Sequence, residues 1–374
     1  NRRNAMFWYL VISILMIYPL SIVIIGKNKA IDTQKLALII SCMILFFFMA
    51  MRAPTVGVDT KFYCYVFEQL SKAPITKVFS METYATQAGN WSLDFEWGYR
   101  LYNKIWGILG SSWQIITIGN SLTIFLLLYR LIKKESKNYF LSIWLYLTLG
   151  IFQTEMNVAR NAIAIMICYY AMQYIEKRDW KRYMGLICVA AFIHKSVLIF
   201  IPLYFLFKRP FISNKKMYGL WMISVAGGVF ALRYTSLIQA LFSGAAGSYL
   251  TAGNEKQESL LVGILYICMV VIVAVVMKRE ERSTMFQRCP IGAWMFTLNM
   301  CCFGMNIGFK MAARVAALFG TYMIIFLPDL IDTIPDRNRR AWATMLVMSG
   351  SMVQYILRMV INNIGGTLPY EFFM

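Results

Sequence analysis

The chain has 374 residues, of which 59% are hydrophobic and 16% aromatic, and long apolar runs recur from end to end. This composition excludes an ordinary water-soluble globular protein and indicates a polytopic α-helical membrane protein. The formal net charge of +19 lies largely in short loops between apolar runs, where membrane topology explains it, so we expect no nucleic-acid partner. Eight cysteines without metal-ligand spacing and a single histidine lead us to predict neither a metal nor a cofactor.

A bilayer crossing takes about 20 apolar residues, and this length predicts about 10 to 12 membrane helices in an all-α fold. We expect the first apolar run to be retained as a span rather than removed as a signal peptide. The predicted spans cover residues 6–25, 36–51, 113–132, 139–153, 161–175, 217–234, 259–277, 289–308, 315–334 and 341–361.

One further apolar run, residues 184–207, is interrupted by His194 and Lys195. If it were a single span, the basic loops 177–182 and 208–216 would lie on opposite sides of the membrane, against the positive-inside rule. Two short helices that meet at His194 would place both loops in the cytoplasm. Each half has about 11 or 12 residues, too few to cross, so we predict a turn at His194 that an external ligand can reach.

With this topology, residues 52–112 are external. The region is too long for a simple connector, and we predict that it forms amphipathic helices over the outer mouth of the protein. Its tryptophans suit an interfacial belt. No internal repeat is present, and a single transmembrane domain, residues 1–374, is the simplest division of the chain.

Two polar clusters interrupt the otherwise apolar sequence between residues 153 and 196. Charge within the hydrocarbon is costly and is tolerated mainly where it faces a protein cavity or water, so both clusters are functional-site hypotheses. The first cluster consists of Glu155, Asn157, Arg160 and Asn161, and the second of His194, Lys195 and Ser196.

Basic residues also occur at external helix ends, where the positive-inside rule does not require them. Snorkelling to lipid headgroups explains Arg233, Lys310 and Arg358. Arg160 and Arg314 have small or polar neighbours that let helices enclose them. Guanidinium groups bind phosphate bidentately, so several cations in one outer cavity predict a polyanionic ligand such as a lipid pyrophosphate. The predicted ligands of the pyrophosphate are Arg52, Arg160, Lys195 and Arg314.

Four short motifs follow one another in a fixed order. They are Arg52-x4-Gly57-x-Asp59-x3-Tyr63, Glu96-Trp97-Gly98-Tyr99, Asn157-x2-Arg160-Asn161 and Phe192-Ile193-His194-Lys195-Ser196. In this order and spacing they resemble the EpsG family, which comprises bacterial exopolysaccharide and O-antigen polymerases of the Wzy type. The resemblance covers residues 52–206, with weaker support from Arg314 and the tail 362–370.

The resemblance implies a metal-independent membrane glycosyltransferase of GT-C-like architecture. Such an enzyme would span the bacterial inner (plasma) membrane many times, with its active site facing the periplasm or exterior. It would transfer a growing glycan from undecaprenyl pyrophosphate to the non-reducing-end hydroxyl of the next lipid-linked repeat unit. The implied partners are the lipid-linked oligosaccharide, the bilayer, and a chain-length regulator and a flippase of the same pathway.

The residue types fit this chemistry. Displacing pyrophosphate from an anomeric carbon needs cations, and the acceptor hydroxyl needs a base. A lone histidine in an apolar run is more often a satisfied core residue, and Asp59 and Glu96 would alternatively form salt bridges within the external region. The candidate catalytic residues are Asp59, Glu96, Glu155 and His194.

Aromatic and amide side chains are the candidate sugar contacts, although each tyrosine alone is better explained as an interface anchor. They are Tyr63, Tyr99, Asn157, Asn161 and Tyr370.

Three alternatives remain at this point. A glycan ligase would use the same donor and the same cations. A flippase or other transporter also predicts broken helices, but the charge clusters at one membrane face and no inverted repeat is detectable. An acyltransferase would need its histidine accessible from the cytoplasm.

A nucleotide-sugar donor is disfavoured because no external D-x-D pair and no phosphate-binding loop occur.

Overall fold

The computed structural model describes residues 32–79, 95–234, 258–309, 312–363 and 365–373. Within these ranges the chain is helical and contains no β-strand, apart from an isolated antiparallel bridge between Arg52 and Phe372. The predicted all-α class is therefore confirmed. The predicted span at 6–25 and Lys310 lie outside the described residues.

The helices are labelled here in chain order. They are α1 Thr33–Ala50, α2 Thr60–Lys72, α3 Trp97–Trp106, α4 Trp113–Glu135, α5 Tyr139–Thr148, α6 Ile151–Asn157, α7 Ala159–Ala171, α8 Gln173–Glu176, α9 Trp180–Ile193, α10 Phe200–Phe207, α11 Asn214–Arg233, α12 Glu258–Val276, α13 Arg279–Arg288, α14 Pro290–Met305, α15 Ala312–Gly320, α16 Met323–Asp332 and α17 Arg337–Tyr355. Short 3-10 helices occur at Ile75–Val78, Gly107–Leu109 and Lys195–Ile199, and a π-helix at Ile356–Ile361.

Three helices in the described part of the chain are long and apolar enough to cross a membrane, namely Thr33–Ala50, Trp113–Glu135 and Arg337–Ile361. The bent pair α15 and α16 makes a fourth if it is one span. These helices match the predicted spans 36–51, 113–132, 341–361 and 315–334. The chain is a membrane protein with several apolar helices, and the larger predicted number of spans is met only in part.

Some predicted spans are interrupted. The predicted helix 139–153 is wrong as a single element, because α5 and α6 are separated at Gly150, which adopts a left-handed conformation with φ of +75°. The predicted helix 315–334 bends by 47° between α15 and α16. Hydropathy reports how apolar a segment is but not where its backbone turns.

The predicted break at His194 is confirmed. Helix α9 ends at Ile193, and His194 is extended, with φ of −155° and ψ of 118°. The chain then continues through the 3-10 helix Lys195–Ile199 into α10. Helix α9 has 14 residues, so at about 1.5 Å per residue it falls short of a bilayer crossing.

The chain divides into two compact units. The first unit comprises Asn1–Glu135, Tyr146–Tyr204 and Tyr355–Met374. In it, α4 packs against α1, α2 and α7, and α9 packs against α7 and α3. The predicted external segment contributes α2 and α3, whose external location stays a prediction.

The second unit comprises Ser136–Leu145 and Phe205–Gln354. Helix α14 is its central element and packs against α11, α12, α13, α15 and α16. Small residues let these helices approach closely, as where Gly228 of α11 faces the Gly304 carbonyl of α14. The division into two units does not test the predicted single transmembrane domain.

Candidate active site

The candidate active site lies in the first unit and centres on Glu96, which is 9% exposed. Glu96 is the residue that caps the amino end of α3, and its carbonyl accepts hydrogen bonds from the backbone N–H groups of Tyr99 and Arg100. Its extended backbone directs the carboxylate away from the helix instead of onto the first turn, where no side-chain cap is made. The carboxylate is thereby available to other elements.

The helix break at His194 supplies two partners for this carboxylate. Because the chain leaves α9 at His194, the backbone N–H of Lys195 has no helical acceptor and donates to Glu96 Oε1 at 3.0 Å. The imidazole Nδ1 of His194 lies 3.1 Å from the same oxygen. The break therefore presents both a side chain and a main-chain group to Glu96.

Arg160 binds the other carboxylate oxygen. It lies in the first turn of α7, and its Nη1 is 2.6 Å from Glu96 Oε2. The guanidinium also stacks over the Phe95 ring, 4.1 Å from the centroid. A planar cation held between a carboxylate and an aromatic face is fixed in orientation. We call Glu96, Arg160, His194 and Lys195 the Glu96 cluster.

Aromatic rings pack against one another next to the Glu96 cluster. Phe95 is buried, and Tyr63 stacks on it with ring centroids 5.4 Å apart. Tyr99 packs edge-on against Phe95 at 5.3 Å, and its hydroxyl pairs with the Asn120 amide. Tyr99 is fully buried, so these contacts make it part of the support for the site.

The charge on Glu96 follows from its partners. Burial raises the pKa of this carboxyl, but the His194 hydrogen bond and the Arg160 charge outweigh burial and hold the pKa at about 2. Glu96 is therefore a carboxylate at neutral pH. A carboxylate is an acceptor only, so Nδ1 of neutral His194 carries the proton and Nε2 is left as the basic nitrogen.

Polar side chains surround the opening of the Glu96 cluster. The His194 side chain is 27% exposed, and Lys195 is exposed. The Ser196 hydroxyl donates to the Asn161 Oδ1 at 3.4 Å, at an exposed position. Three consecutive polar residues with exposed or partly exposed side chains, His194 to Ser196, thus follow the end of α9, and Asn161 pairs with the last of them.

Close packing of α3 on the end of α9 brings these groups together. A Cβ atom on Gly98 would lie 2.5 Å from the carbonyl oxygen of Phe192. No larger residue allows this approach without a backbone shift. Gly98 therefore sets the distance between Glu96 and the His194 break.

A second group of contacts joins two loops to the end of α6, next to Arg160 in sequence. The Asn157 Oδ1 accepts from the Val58 N–H at 2.6 Å, and its Nδ2 donates to the Gly365 and Gln153 carbonyls at 2.9 and 3.1 Å. Gly57 and Gly365 have φ of +97° and +86°, and a Cβ on either would lie 2.7 Å from the Asn157 amide. We call residues 51–58, 156–158 and 365–373 the loop junction. The Asn157 amide is fully occupied within it.

Arg52 belongs to the same loop junction. Its guanidinium donates to the Met156 carbonyl at 3.1 Å and to the Met49 carbonyl, and the residue is buried. The carboxy-terminal tail pairs with this loop through Ala53 N–H to the Glu371 carbonyl at 2.9 Å. The Tyr370 hydroxyl donates to the Phe48 carbonyl. These contacts describe a structural use of Arg52 and Tyr370, and their predicted ligand roles stay predictions.

The remaining predicted residues lie elsewhere. Glu155 is buried and accepts a hydrogen bond from the Tyr146 hydroxyl at 2.6 Å. Asp59 is exposed at the start of α2. Arg314 is exposed on α15 in the second unit. The structure thus brings together Glu96, Arg160, His194, Lys195 and Asn161, and it gives Glu155 and Asn157 inward-facing partners.

Sequence reasoning missed two aromatic contributions. The first is Phe95, whose ring lies under the Arg160 guanidinium. Nothing in the sequence indicated this role except that Phe95 precedes Glu96. Trp97 was assigned to an interfacial belt, whereas its ring lies 4.5 Å from that of Phe192 beside the Glu96 cluster. Residues flanking a candidate carboxylate or base are the signal that would have found both.

Comparison with known proteins gives one result about the family. No curated protein and no solved structure matches this chain. The model of the EpsG family matches residues 35–372, nearly the whole length, and this range contains the Glu96 cluster and all of the loop junction except residue 373. The chain therefore belongs to the EpsG family.

Proposed function

We propose that this protein is a polysaccharide polymerase of the outer face of the bacterial inner membrane. Membership of the EpsG family suggests a polymerase-type role and is consistent with glycosyltransferase-like chemistry in a membrane protein. The proposed reaction transfers a growing glycan from undecaprenyl pyrophosphate to the non-reducing-end hydroxyl of the next lipid-linked repeat unit. It proceeds without a metal ion.

One observation carries this proposal: the Glu96 carboxylate lies between Arg160 and His194. Its Oε2 is 2.6 Å from Arg160 Nη1, and its Oε1 is 3.1 Å from His194 Nδ1. An ionised carboxylate on Nδ1 fixes the imidazole tautomer and orientation and leaves the Nε2 lone pair as the proton acceptor. The His194 side chain is accessible, so Nε2 is positioned to act as a general base on a hydroxyl.

In the proposed reaction, the acceptor hydroxyl oxygen attacks the anomeric carbon of the donor sugar. The bond between that carbon and the pyrophosphate oxygen breaks, and its electron pair leaves on the pyrophosphate. The hydroxyl proton passes to Nε2 of His194, whose imidazolium is stabilised by Glu96. Glu96 is therefore a positioning residue, and His194 is the catalytic residue.

Cations at the site would stabilise the leaving group. Lys195 is an exposed residue at the start of the 3-10 helix that follows His194, and we propose its ammonium as a phosphate ligand beside the base. Arg160 already binds Glu96 through Nη1, and its guanidinium has further N–H groups for an anion. We propose Arg314 as an additional pyrophosphate ligand on its sequence context alone.

The first test is polymerisation in vitro by purified protein in nanodiscs. The substrate is the lipid-pyrophosphate repeat unit, without nucleotide sugar and with EDTA present. We expect a ladder of glycan lengths that is lost in Arg160→Ala and Arg314→Ala. For His194→Ala we expect the rate to fall by roughly 100-fold or more, the usual contribution of a general base. Arg233→Ala, at an exposed helix end assigned to snorkelling, should retain the ladder.

Thermal unfolding of each variant checks that it is folded. A ladder that requires a divalent ion would contradict the metal-free mechanism. Full activity in folded His194→Ala would contradict the assignment of the base. Transfer of one glycan to a foreign acceptor without elongation would identify a ligase instead, and export of the lipid-linked unit without any new bond would identify a transporter.

A further inference from the structure

Two large aromatic side chains lie exposed beside the Glu96 cluster. Trp97 is 40% exposed and Phe192 is 46% exposed. Their ring centroids are 4.5 Å apart with an interplanar angle of 45°. A third exposed ring, Phe79, lies 6.2 Å from Trp97. Two exposed rings that contact each other next to a carboxylate and an imidazole offer a ligand a flat apolar surface beside polar groups.

From this arrangement we infer that Trp97 and Phe192 form the floor of a subsite for a sugar ring of the acceptor glycan. The inference rests on the proposed function and adds a binding site to it. The apolar faces of pyranose rings carry C–H groups that pack against flat aromatic rings, while their hydroxyls need polar partners at the edge. The subsite supplies both kinds of contact.

The position of the pair along the chain ties it to the reaction. Trp97 directly follows Glu96, and Phe192 precedes His194 by two residues. The carbonyl of Phe192 abuts Gly98, so α3 and the end of α9 hold the two rings in a fixed relation to the Glu96 carboxylate. A sugar on the rings would therefore have its hydroxyls near the base, as the acceptor of the proposed reaction requires.

The polar rim favours a sugar over a lipid chain. Asn161 and Ser196 pair with each other at 3.4 Å at an exposed position, and the neighbouring residue in the chain, Lys195, is exposed. Amide, hydroxyl and ammonium groups are partners for sugar hydroxyls and unfavourable neighbours for an isoprenoid chain. The mixed surface of rings and polar groups is therefore suited to a glycan.

The test measures binding of two separate probes to the protein in nanodiscs. One probe is the repeat-unit oligosaccharide released from its lipid, and the other is undecaprenyl pyrophosphate without sugar. Isothermal titration gives the affinity of each for wild type, Trp97→Ala, Phe192→Ala and Trp97→Phe. Trp180→Ala is the matched control, since Trp180 is 56% exposed at the opposite end of α9. The same variants are assayed for the KM of the acceptor.

We expect Trp97→Ala and Phe192→Ala each to weaken oligosaccharide binding by about tenfold and to raise the acceptor KM similarly, as stacking energies indicate. Trp97→Phe should retain most of the affinity. Binding of undecaprenyl pyrophosphate should stay unchanged throughout, and Trp180→Ala should match wild type.

Three results would overturn the subsite: no oligosaccharide binding by wild type, equal binding in both alanine variants, or a loss confined to undecaprenyl pyrophosphate, which would make the rings a lipid contact. The proposed function fails separately. If wild type makes no polymer yet binds the oligosaccharide through Trp97, the sugar subsite is supported and the proposed polymerase activity is rejected.

Discussion

Glu96 joins parts of the chain that are far apart in sequence. Its partners Arg160 and His194 lie 64 and 98 residues away, and a backbone N–H at Lys195 completes the set. A carboxylate with this little exposure is stable only with such partners, because an unpaired buried charge costs several kcal/mol. The single negative charge thereby orients both the arginine and the histidine.

The pH dependence of stability tests the charge on Glu96. The pKa in the folded protein, about 2, lies below the ordinary value of 4.5, so Glu96 stabilises the fold fully above pH 4.5. This stabilisation, roughly 3 kcal/mol, is lost as the pH falls from 4.5 towards 2. We expect Glu96→Gln to lower the unfolding temperature in nanodiscs at pH 7 and to approach wild type as the pH falls to 2. A difference that does not depend on pH would show that Glu96 is not ionised as described.

At the scale of elements, the approach of α3 to the end of α9 fixes the site. Alanine usually stabilises a helix relative to glycine by about 1 kcal/mol. We expect the opposite sign for Gly98→Ala, because the added Cβ would lie 2.5 Å from the Phe192 carbonyl and must push α3 away. Gly185→Ala on α9, where no atom lies within 4 Å, is the matched control and should be neutral or stabilising. Unfolding temperature and polymerisation rate are the readouts, and equal behaviour of the two variants would contradict the packing argument.

The loop junction makes a separate prediction. Asn157→Ala leaves the Val58 N–H and the Gly365 carbonyl without their partner, which we expect to destabilise the protein by on the order of 2 kcal/mol or more. The control is Asn161→Ala, which removes one long and exposed hydrogen bond. Limited proteolysis should cut the carboxy-terminal tail faster in Asn157→Ala than in Asn161→Ala. Equal cleavage rates would show that Asn157 does not hold the tail.

These elements also show what the sequence could predict. Apolar length predicted α1, α4 and α17, and the charge of the flanking loops predicted the break at His194, since both signals are local. The interruption at Gly150 depends on backbone conformation, which hydropathy does not report. The pairing of Glu96 with His194 could not be predicted, because a single sequence carries no information on which distant residues meet. For the same reason the inward orientation of Asn157 was missed.

At the scale of the whole molecule, the central question is the side of the membrane on which each loop lies. The positive-inside rule assigns the basic loops on both sides of the His194 break to the cytoplasm. The two arms of the break are short, since α9 has 14 residues and the arm Lys195–Phe207 has 13. At about 1.5 Å per residue, neither arm reaches the roughly 30 Å of a hydrocarbon core. The break would then open to the outer face, where the proposed function places its lipid-linked donor.

Cysteine labelling in whole cells tests this topology. In a variant whose eight cysteines are replaced, Lys177→Cys, Ser196→Cys and Lys208→Cys are introduced one at a time. We expect a membrane-impermeant maleimide to label position 196 in intact cells, since Ser196 is exposed at the break, and to label positions 177 and 208 only after the cells are opened. If 184–207 were a single crossing, one of positions 177 and 208 would be labelled in intact cells. That result would place the two basic loops on opposite sides and remove the physical basis for an outward-facing His194.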